Sequence, residues 1–355
     1  MKKILAITPY PNLSADTRYR ITQFIPHLEQ AGWAVDLRPM MDDRLFAIYN
    51  HEGKTVEKIT RTFQRSGLRV IDCLKAHNYD LILLHKEAYP FGPPVLENLI
   101  HRLQPRIIYD MDDAFWSHPP QLRQIGRFLR DPQRIDKIIS LSSHVLAGNP
   151  YLADYALQFN SHVSIFPTVL NTERYTLRHE VDDGRVTIGW VGRWSSSPYL
   201  DQLIPVFKKL LDEYPAVNFR FVGADPAGLP ANERMEFVPW QLQNEIIDIR
   251  SFDIGIMPLP NDVYSLGKCG FKLLQYMALG IPAVASPIGV NKDIIQDGIN
   301  GFLATTETEW FDSLSILIKD IRLRKEIGLK ARQTVKERYA VEVQVPILLN
   351  ILKTI

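Results

Sequence analysis

The sequence predicts two doubly wound α/β domains in tandem, and three observations lead there. Short apolar runs alternate with stretches of helical periodicity through most of the chain. A length of 355 residues exceeds what one hydrophobic core normally organises, about 250–300 residues. A polar, turn-rich stretch near 168–184, TVLNTERYTLRHEVDDG, then interrupts the alternation halfway along.

Six strands are expected in the first half, at 3–8, 34–37, 81–85, 107–110, 144–147 and 163–167. They are short and apolar on both faces, as parallel strands covered by helices should be. Between them, 20–31 is helical, with Ile21, Phe24, Ile25 and Leu28 on one face and Gly32 at its end. A longer amphipathic stretch at 55–77 carries Ile59, Phe63, Leu68, Ile71 and Leu74. The second half repeats the pattern, with strands at 186–191, 218–222, 235–238, 253–257 and 282–286 and a helix at 198–214. Beyond 307 the chain reads as mostly helical.

Composition is that of an ordinary globular protein, with 46% hydrophobic and 23% charged residues. A formal net charge of +1 gives no argument for a nucleic-acid partner. The apolar run after Met1-Lys2-Lys3 stops at Thr8-Pro9, too soon for a signal peptide, and no run of about 18 apolar residues exists. With only Cys73 and Cys269, a reduced, cytoplasmic setting is the simplest reading, with peripheral association at the inner face of a membrane left open. No His/Cys grouping has metal-ligand spacing, and neither a phosphate-binding P-loop nor a nucleophile elbow appears.

The most informative stretch is GKCGFKLLQYMALGIPAVASPIGVN, residues 267–291. A Gly- and Lys-bearing loop enters a helix expected over 271–279, which Gly280 and Pro282 terminate before the strand at 282–286. Backbone amides at a helix N-terminus attract anions, and Lys268 and Lys272 stand beside them. Like charges at that end oppose the helix dipole, so two lysines there invite an anionic ligand such as a diphosphate. Gly270 and Phe271 form the turn itself.

The same segment, above all YMALGIPAVAS, resembles the donor-binding signature of family 4 (group 1) glycosyltransferases. The resemblance extends over nearly the whole chain, through RYRITQFIPHLEQAGWAV, FPTVLNTERY, the VGR strand end and DGINGFL. It implies the GT-B architecture, in which two Rossmann-like domains face a cleft. Residues 1–175 then form an acceptor-side domain, rejoined by a helix at about 340–355, and 176–339 form the nucleotide-sugar domain. The implied reaction is sugar transfer from a nucleotide-sugar to an acceptor hydroxyl, with retention at the anomeric carbon. No cofactor beyond this co-substrate and no metal are expected. The acceptor is a glycan, a lipid-linked molecule or a small molecule.

Residue by residue, Gly192-Arg193 matches the family's V-G-R, whose arginine contacts the donor diphosphate. Gly223 corresponds to a point where the nucleotide lies against the backbone, and Val238 and Trp240, in VPW, flank the base. The family commonly carries two glutamates eight positions apart, for donor sugar and ribose. Here those positions are Gly267 and Gln275, so Gln275 is expected at the ribose, and the sugar-binding carboxylate is missing. A lysine usual about five residues after the arginine is Pro198, which leaves Lys268 or Lys272 to supply the charge. In Asp110-Met111-Asp112-Asp113, either Asp112 or Asp113 is expected to contact the donor sugar or acceptor hydroxyl. A D-x-D metal site is set aside, and an Asx cap on a helix over 114–118 is the alternative. Arg18 and Arg20, after the first strand, are expected on the acceptor side, holding an anionic acceptor or the diphosphate. His85 and His144 read as structural, and Asn149 as a turn residue. Two rivals share the architecture: a nucleotide-sugar 2-epimerase and a non-catalytic binding subunit.

Overall fold

The structure, a computed structural model of the chain, describes residues 1–49, 53–117, 131–178 and 184–355. Position 118 and residues 179–183, raised above, therefore lie outside the described residues. Contacts divide the chain into two units. Unit 1 is Met1–Thr168 with Gln344–Ile355, and unit 2 is Val169–Val343.

Unit 1 is built on six parallel strands: β1 (Lys2–Thr8), β2 (Trp33–Pro39), β3 (Leu81–His85), β4 (Ile107–Met111), β5 (His144–Ala147) and β6 (Val163–Ile165). Their spatial order is β2-β1-β3-β4-β5-β6. The chain reverses its direction of build between β1 and β3, paired from Ile4–Leu81 to Ile7–Leu84. Such a switch point opens a crevice at the strands' C-terminal ends.

Unit 2 has six parallel strands: β7 (Val186–Val191), β8 (Val217–Val222), β9 (Met235–Val238), β10 (Ile254–Met257), β11 (Ala283–Ala285) and β12 (Phe302–Leu303). Their order, β12-β11-β10-β7-β8-β9, is the dinucleotide-fold order read from one edge, with its switch point between β7 and β10. Trp190, Phe207, Phe219, Phe221 and Trp310 fill its core. Sequence patterning gives all these strands except β12, whose two residues are too few to show a period.

Prolines explain two helix corrections. The helix expected at 20–31 begins earlier, as α1 (Ala15–Arg20), and breaks into a 3-10 turn, Thr22–Phe24. It resumes at Ile25–Gln30 with Pro26 in the first turn, where no amide proton is needed. The helix expected at 198–214 is a 3-10 segment, Trp194–Leu203, followed by Ile204–Glu213 with Pro205 at its start. Residues 114–117 form turns rather than a helix.

The long helix α2 (Thr55–Leu74) is oriented against its hydrophobic pattern. Its arginines turn inward: Arg65 donates to the Pro39 and Met40 carbonyls, and buried Arg69 donates to the Thr8 carbonyl. Val56, Ile59 and Phe63 stay exposed. Cys73, on the same inward side, is fully buried, and burial pushes its thiol up to about 12. Among the described residues no helix is long and apolar enough to cross a membrane.

Candidate active site

In unit 2 the candidate site is assembled at the C-terminal ends of β7, β8, β9 and β10. Helix α3 (Phe271–Ala278) is seated there by Tyr276, whose buried hydroxyl accepts from the Val191 amide at 3.1 Å and donates to the Ile256 carbonyl at 3.4 Å. Tyr276 thus bridges β7 and β10 across the switch point. Burial raises its phenol pKa, so the bridge stays neutral. One turn earlier, on the same helical face, lies Lys272. Its ammonium sits 5.3 Å from the Trp190 ring centre. A Cβ on Gly192 would come within 2.9 Å of the Lys272 Cε and 2.4 Å of the Trp190 ring. Glycine at 192 is therefore what lets the lysine stem cross the end of β7.

The neighbouring strand ends interlock through backbone. The Gly192 amide donates to the Val222 carbonyl at 3.0 Å, and the Gly223 amide to the Val238 carbonyl at 2.8 Å. Gly223 is left-handed at φ 77°, and a Cβ there would lie 2.2 Å from the Gly192 carbonyl oxygen and 3.1 Å from Trp240 Cβ. Gly192, Gly223, Val238, Trp240 and Lys272 consequently share one surface. Arg193 follows Gly192 directly and is exposed at the start of the 3-10 segment.

The remaining expected donor residues sit as follows. Gly270, at φ 68°, turns the chain into α3 at Phe271, and a side chain at 270 would strike Ile294. Lys268 places its ammonium 4.0 Å from the Tyr264 ring centre. Gln275 is buried and donates to the Tyr175 hydroxyl at 3.2 Å, so at least one of its amide protons is held by the protein. A cavity of about 450 Å³ lies at the opposite ends of β7 and β8, lined by Arg185, Thr187, Asn218, Arg220 and Arg234, away from this surface.

In unit 1 the charged residues gather at the switch point between β1 and β3, and sequence reasoning saw only part of this. Lys86, directly after β3, is buried and left-handed at φ 64°, a conformation that costs a non-glycine residue about 1–2 kcal/mol. Its ammonium is 2.7 Å from Asp16 and 3.4 Å from Asp112, and 4.9 Å from the Phe115 ring centre. Burial alone would lower the Lys86 pKa, but Asp112, Asp16 and Asp113 outweigh it and hold it well above the usual lysine range. Burial raises the Asp112 carboxyl in spite of Lys86. The cluster thus combines a fixed cation with a carboxyl that protonates unusually readily.

Beside it, His85 donates through Nδ1 to Asp110 at 2.7 Å, and its buried Nε2 has no hydrogen-bond partner among the described residues. Asp110 also receives both Nε and Nη2 of Arg20. Burial would raise this carboxyl, but Arg20 and His85 hold it down at about 2. Arg20 spends its other nitrogen on the Phe166 carbonyl at 2.8 Å, and Arg18 donates to the Leu13 carbonyl at 2.8 Å. Both expected acceptor-side arginines are therefore buried and bonded within unit 1. Asp113 is half-buried on the following turn, and Asn149 caps the helix Pro150–Ala156 by accepting from the Leu152 amide. Sequence distance hides the cluster: Asp16, Lys86 and Asp112 meet only once β1, β3 and β4 are aligned. Among the described residues no group of three or more His, Cys, Asp or Glu is arranged to hold a metal ion.

Residues 185–320 match the family described as glycosyl transferases group 1. A trehalose synthase from Pyrococcus horikoshii is 23% identical over 191 residues, 50% of this chain and 46% of that protein. The chain spans less than half the length of the curated relatives it matches. Among solved structures, Anabaena HepE in complex with UDP and glucose covers all of both chains with a TM-score of 0.71 at 16% identity. Sucrose-phosphate synthase from Thermosynechococcus elongatus covers 100% of this chain and 99% of its own, with a TM-score of 0.73 at 15% identity. At that identity the likeness speaks to fold. Together with the strand orders it identifies a chain of the GT-B fold, whose second unit carries, across β7–β12, the match to the group 1 glycosyl transferases.

Proposed function

We propose that the protein transfers a sugar from a nucleotide-sugar donor to an acceptor hydroxyl, with retention of anomeric configuration and without a metal. The observation that carries this reading is the shared surface of Gly192, Gly223, Trp240 and Lys272 inside the stretch that matches the family. Two backbone segments without side chains leave room for a nucleoside diphosphate to lie against the strand ends. Trp240 offers a face for the base, and Lys272, with Arg193 and Lys268, offers positive charge for the phosphates.

In the reaction the bond from the anomeric carbon to the phosphate oxygen breaks, and a bond to the acceptor oxygen forms on the same face. The acceptor proton passes to the departing diphosphate, so no separate base is required. Charge grows on the diphosphate as it leaves, and preformed cations aimed at it lower the barrier. In unit 1 the Lys86–Asp16–Asp112 cluster, with Asp113, supplies charged hydrogen-bonding groups suited to sugar or acceptor hydroxyls. HepE was solved with UDP and with UDP-glucose, which makes a uridine diphosphate sugar the first donor to test.

The test is a thermal-shift comparison of UDP-, GDP-, ADP-, dTDP- and CMP-sugars, followed by product analysis with an acceptor mixture. A ligand at about 100 times its dissociation constant adds about 2.7 kcal/mol of stability. One donor is expected to stabilise the protein, and the product linkage, read by NMR, is expected to keep the donor's anomeric configuration. Stabilisation by none of these donors, or donor epimerised without an acceptor, would overturn the proposal.

A further inference from the structure

The surface proposed for the donor has a direction, and its far end is cationic. Strand register fixes the direction. Val238 pairs with Val222 and Val222 with Val191, so the ends of β9, β8 and β7 stand level. Gly189 pairs with Gly255, which brings Met257, at the end of β10, level with Val191, and Met257 pairs with Ala285 of β11. A nucleotide with its base on Trp240 and its phosphates against Gly192 and Lys272 therefore runs from the β9 side towards β7. The sugar, bonded to the second phosphate, continues the same way, over the ends of β10 and β11.

The loops that meet it there, 258–270 and 286–291, contain one carboxylate, Asp262. Asp262 caps the short helix Val263–Leu266, its Oδ1 accepting the Ser265 amide at 2.7 Å. The cation in these loops is Lys268. Its ammonium stands 4.0 Å from the Tyr264 ring centre, a cation–π contact that holds the long side chain in place in advance of a ligand. Lys272 is directed elsewhere, past Gly192 to the Trp190 ring.

We infer that the donor sugar carries a carboxylate, as a hexuronate does, and that Lys268 pairs with it. The inference rests on the donor reading above and narrows the part Lys268 plays in it. A nucleoside diphosphate ester carries two negative charges, which Arg193 and Lys272 match one for one. Lys268 is then a third cation for a third anionic group. A neutral hexose suits this end of the surface less well. Its hydroxyls are held most strongly by charged acceptors, whereas an ammonium only donates hydrogen bonds.

The test is titration calorimetry on the full chain. UDP and GDP titrated alone report the nucleotide surface. The pairs UDP-glucose with UDP-glucuronate, and GDP-mannose with GDP-mannuronate, report the sugar end. For the nucleotide that binds, wild type is expected to hold the uronate about tenfold or more tighter than the neutral sugar. Lys268→Met is expected to weaken the uronate selectively and bring that ratio to about one, and Lys268→Arg, which keeps the charge, is expected to preserve it. A lysine that merely supports the loop would lower both affinities alike and leave the ratio unchanged. A wild-type ratio of one or less, or an unchanged ratio in Lys268→Met, overturns the inference and leaves the donor reading standing. Binding of neither nucleotide overturns the donor reading, and the inference with it.

Discussion

Substituting Gly223 with alanine probes the surface where the nucleotide is proposed to lie. Two penalties combine there. The residue is left-handed at φ 77°, which costs a non-glycine residue about 1–2 kcal/mol. The new Cβ would also lie 2.2 Å from the Gly192 carbonyl oxygen, roughly 1 Å inside normal contact. Gly192 cannot simply retreat, because its own Cα is hemmed by Trp190 and the Lys272 stem. Forcing such an overlap typically adds about 1–3 kcal/mol. Gly228 supplies the control, being left-handed at φ 92° but with nothing nearer to a new Cβ than an Asp201 carboxylate oxygen at 3.7 Å. Urea unfolding of both alanine variants separates the terms. Gly228→Ala is expected to lose about 1–2 kcal/mol, and Gly223→Ala about 2–5 kcal/mol. Calorimetry with UDP is expected to show at least a roughly tenfold loss of affinity, about 1.4 kcal/mol, for Gly223→Ala alone. Equal stability and equal UDP affinity in the two variants would refute the close backbone approach and its place in the site.

Three further outcomes follow from the same geometry. Lys272→Met keeps the apolar stem and removes the charge; UDP affinity is expected to fall by about 1.5–3 kcal/mol, with a shallower dependence on salt, measured by calorimetry. Folding lowers the Asp110 pKa from 3.8 to about 2, so its contribution of about 2 kcal/mol is fully present above the unfolded value and is lost as pH falls through the folded one. Asp110→Asn removes that acid-range dependence and leaves the Arg20 guanidinium buried without its carboxylate, for a loss of about 3–5 kcal/mol in chemical denaturation near neutral pH. Transferase activity is expected to survive exhaustive chelation; restoration of a lost activity by stoichiometric Mg²⁺ or Mn²⁺ would revive the D-x-D metal reading of Asp110 and Asp112.

Much of the fold was legible because parallel strands buried on both faces write continuous apolar runs, as in LILLH at β3 and VTIGWV at β7. The GKCGFKLLQYMA segment was legible because a loop, a helix start and a helix stop each leave a local mark. What escaped was set by contacts distant in sequence. Arg20 was expected to hold an anionic acceptor or the diphosphate, but Asp110, ninety positions on, is the carboxylate it meets. Lys86 drew no expectation from the sequence, and only its pairing with Asp16, seventy positions earlier, shows why a lysine is held there. Periodicity located α2 but not its orientation, since a hydrophobic stripe reports that a helix is two-faced and not which face turns inward.

The division of the chain also has a consequence for biosynthesis. Helix α4 (Val341–Thr354) begins in unit 2, yet residues 344–355 group by their contacts with unit 1. Unit 1 is therefore discontinuous: its first 168 residues leave the ribosome well before its last segment, with all of unit 2 made in between. At translation rates of about 5–20 residues per second, that interval is on the order of ten seconds or more. Unit 2 is continuous and can finish folding as it emerges, whereas unit 1 gains its last piece only at the end. The unit encoded first is thus the one completed last.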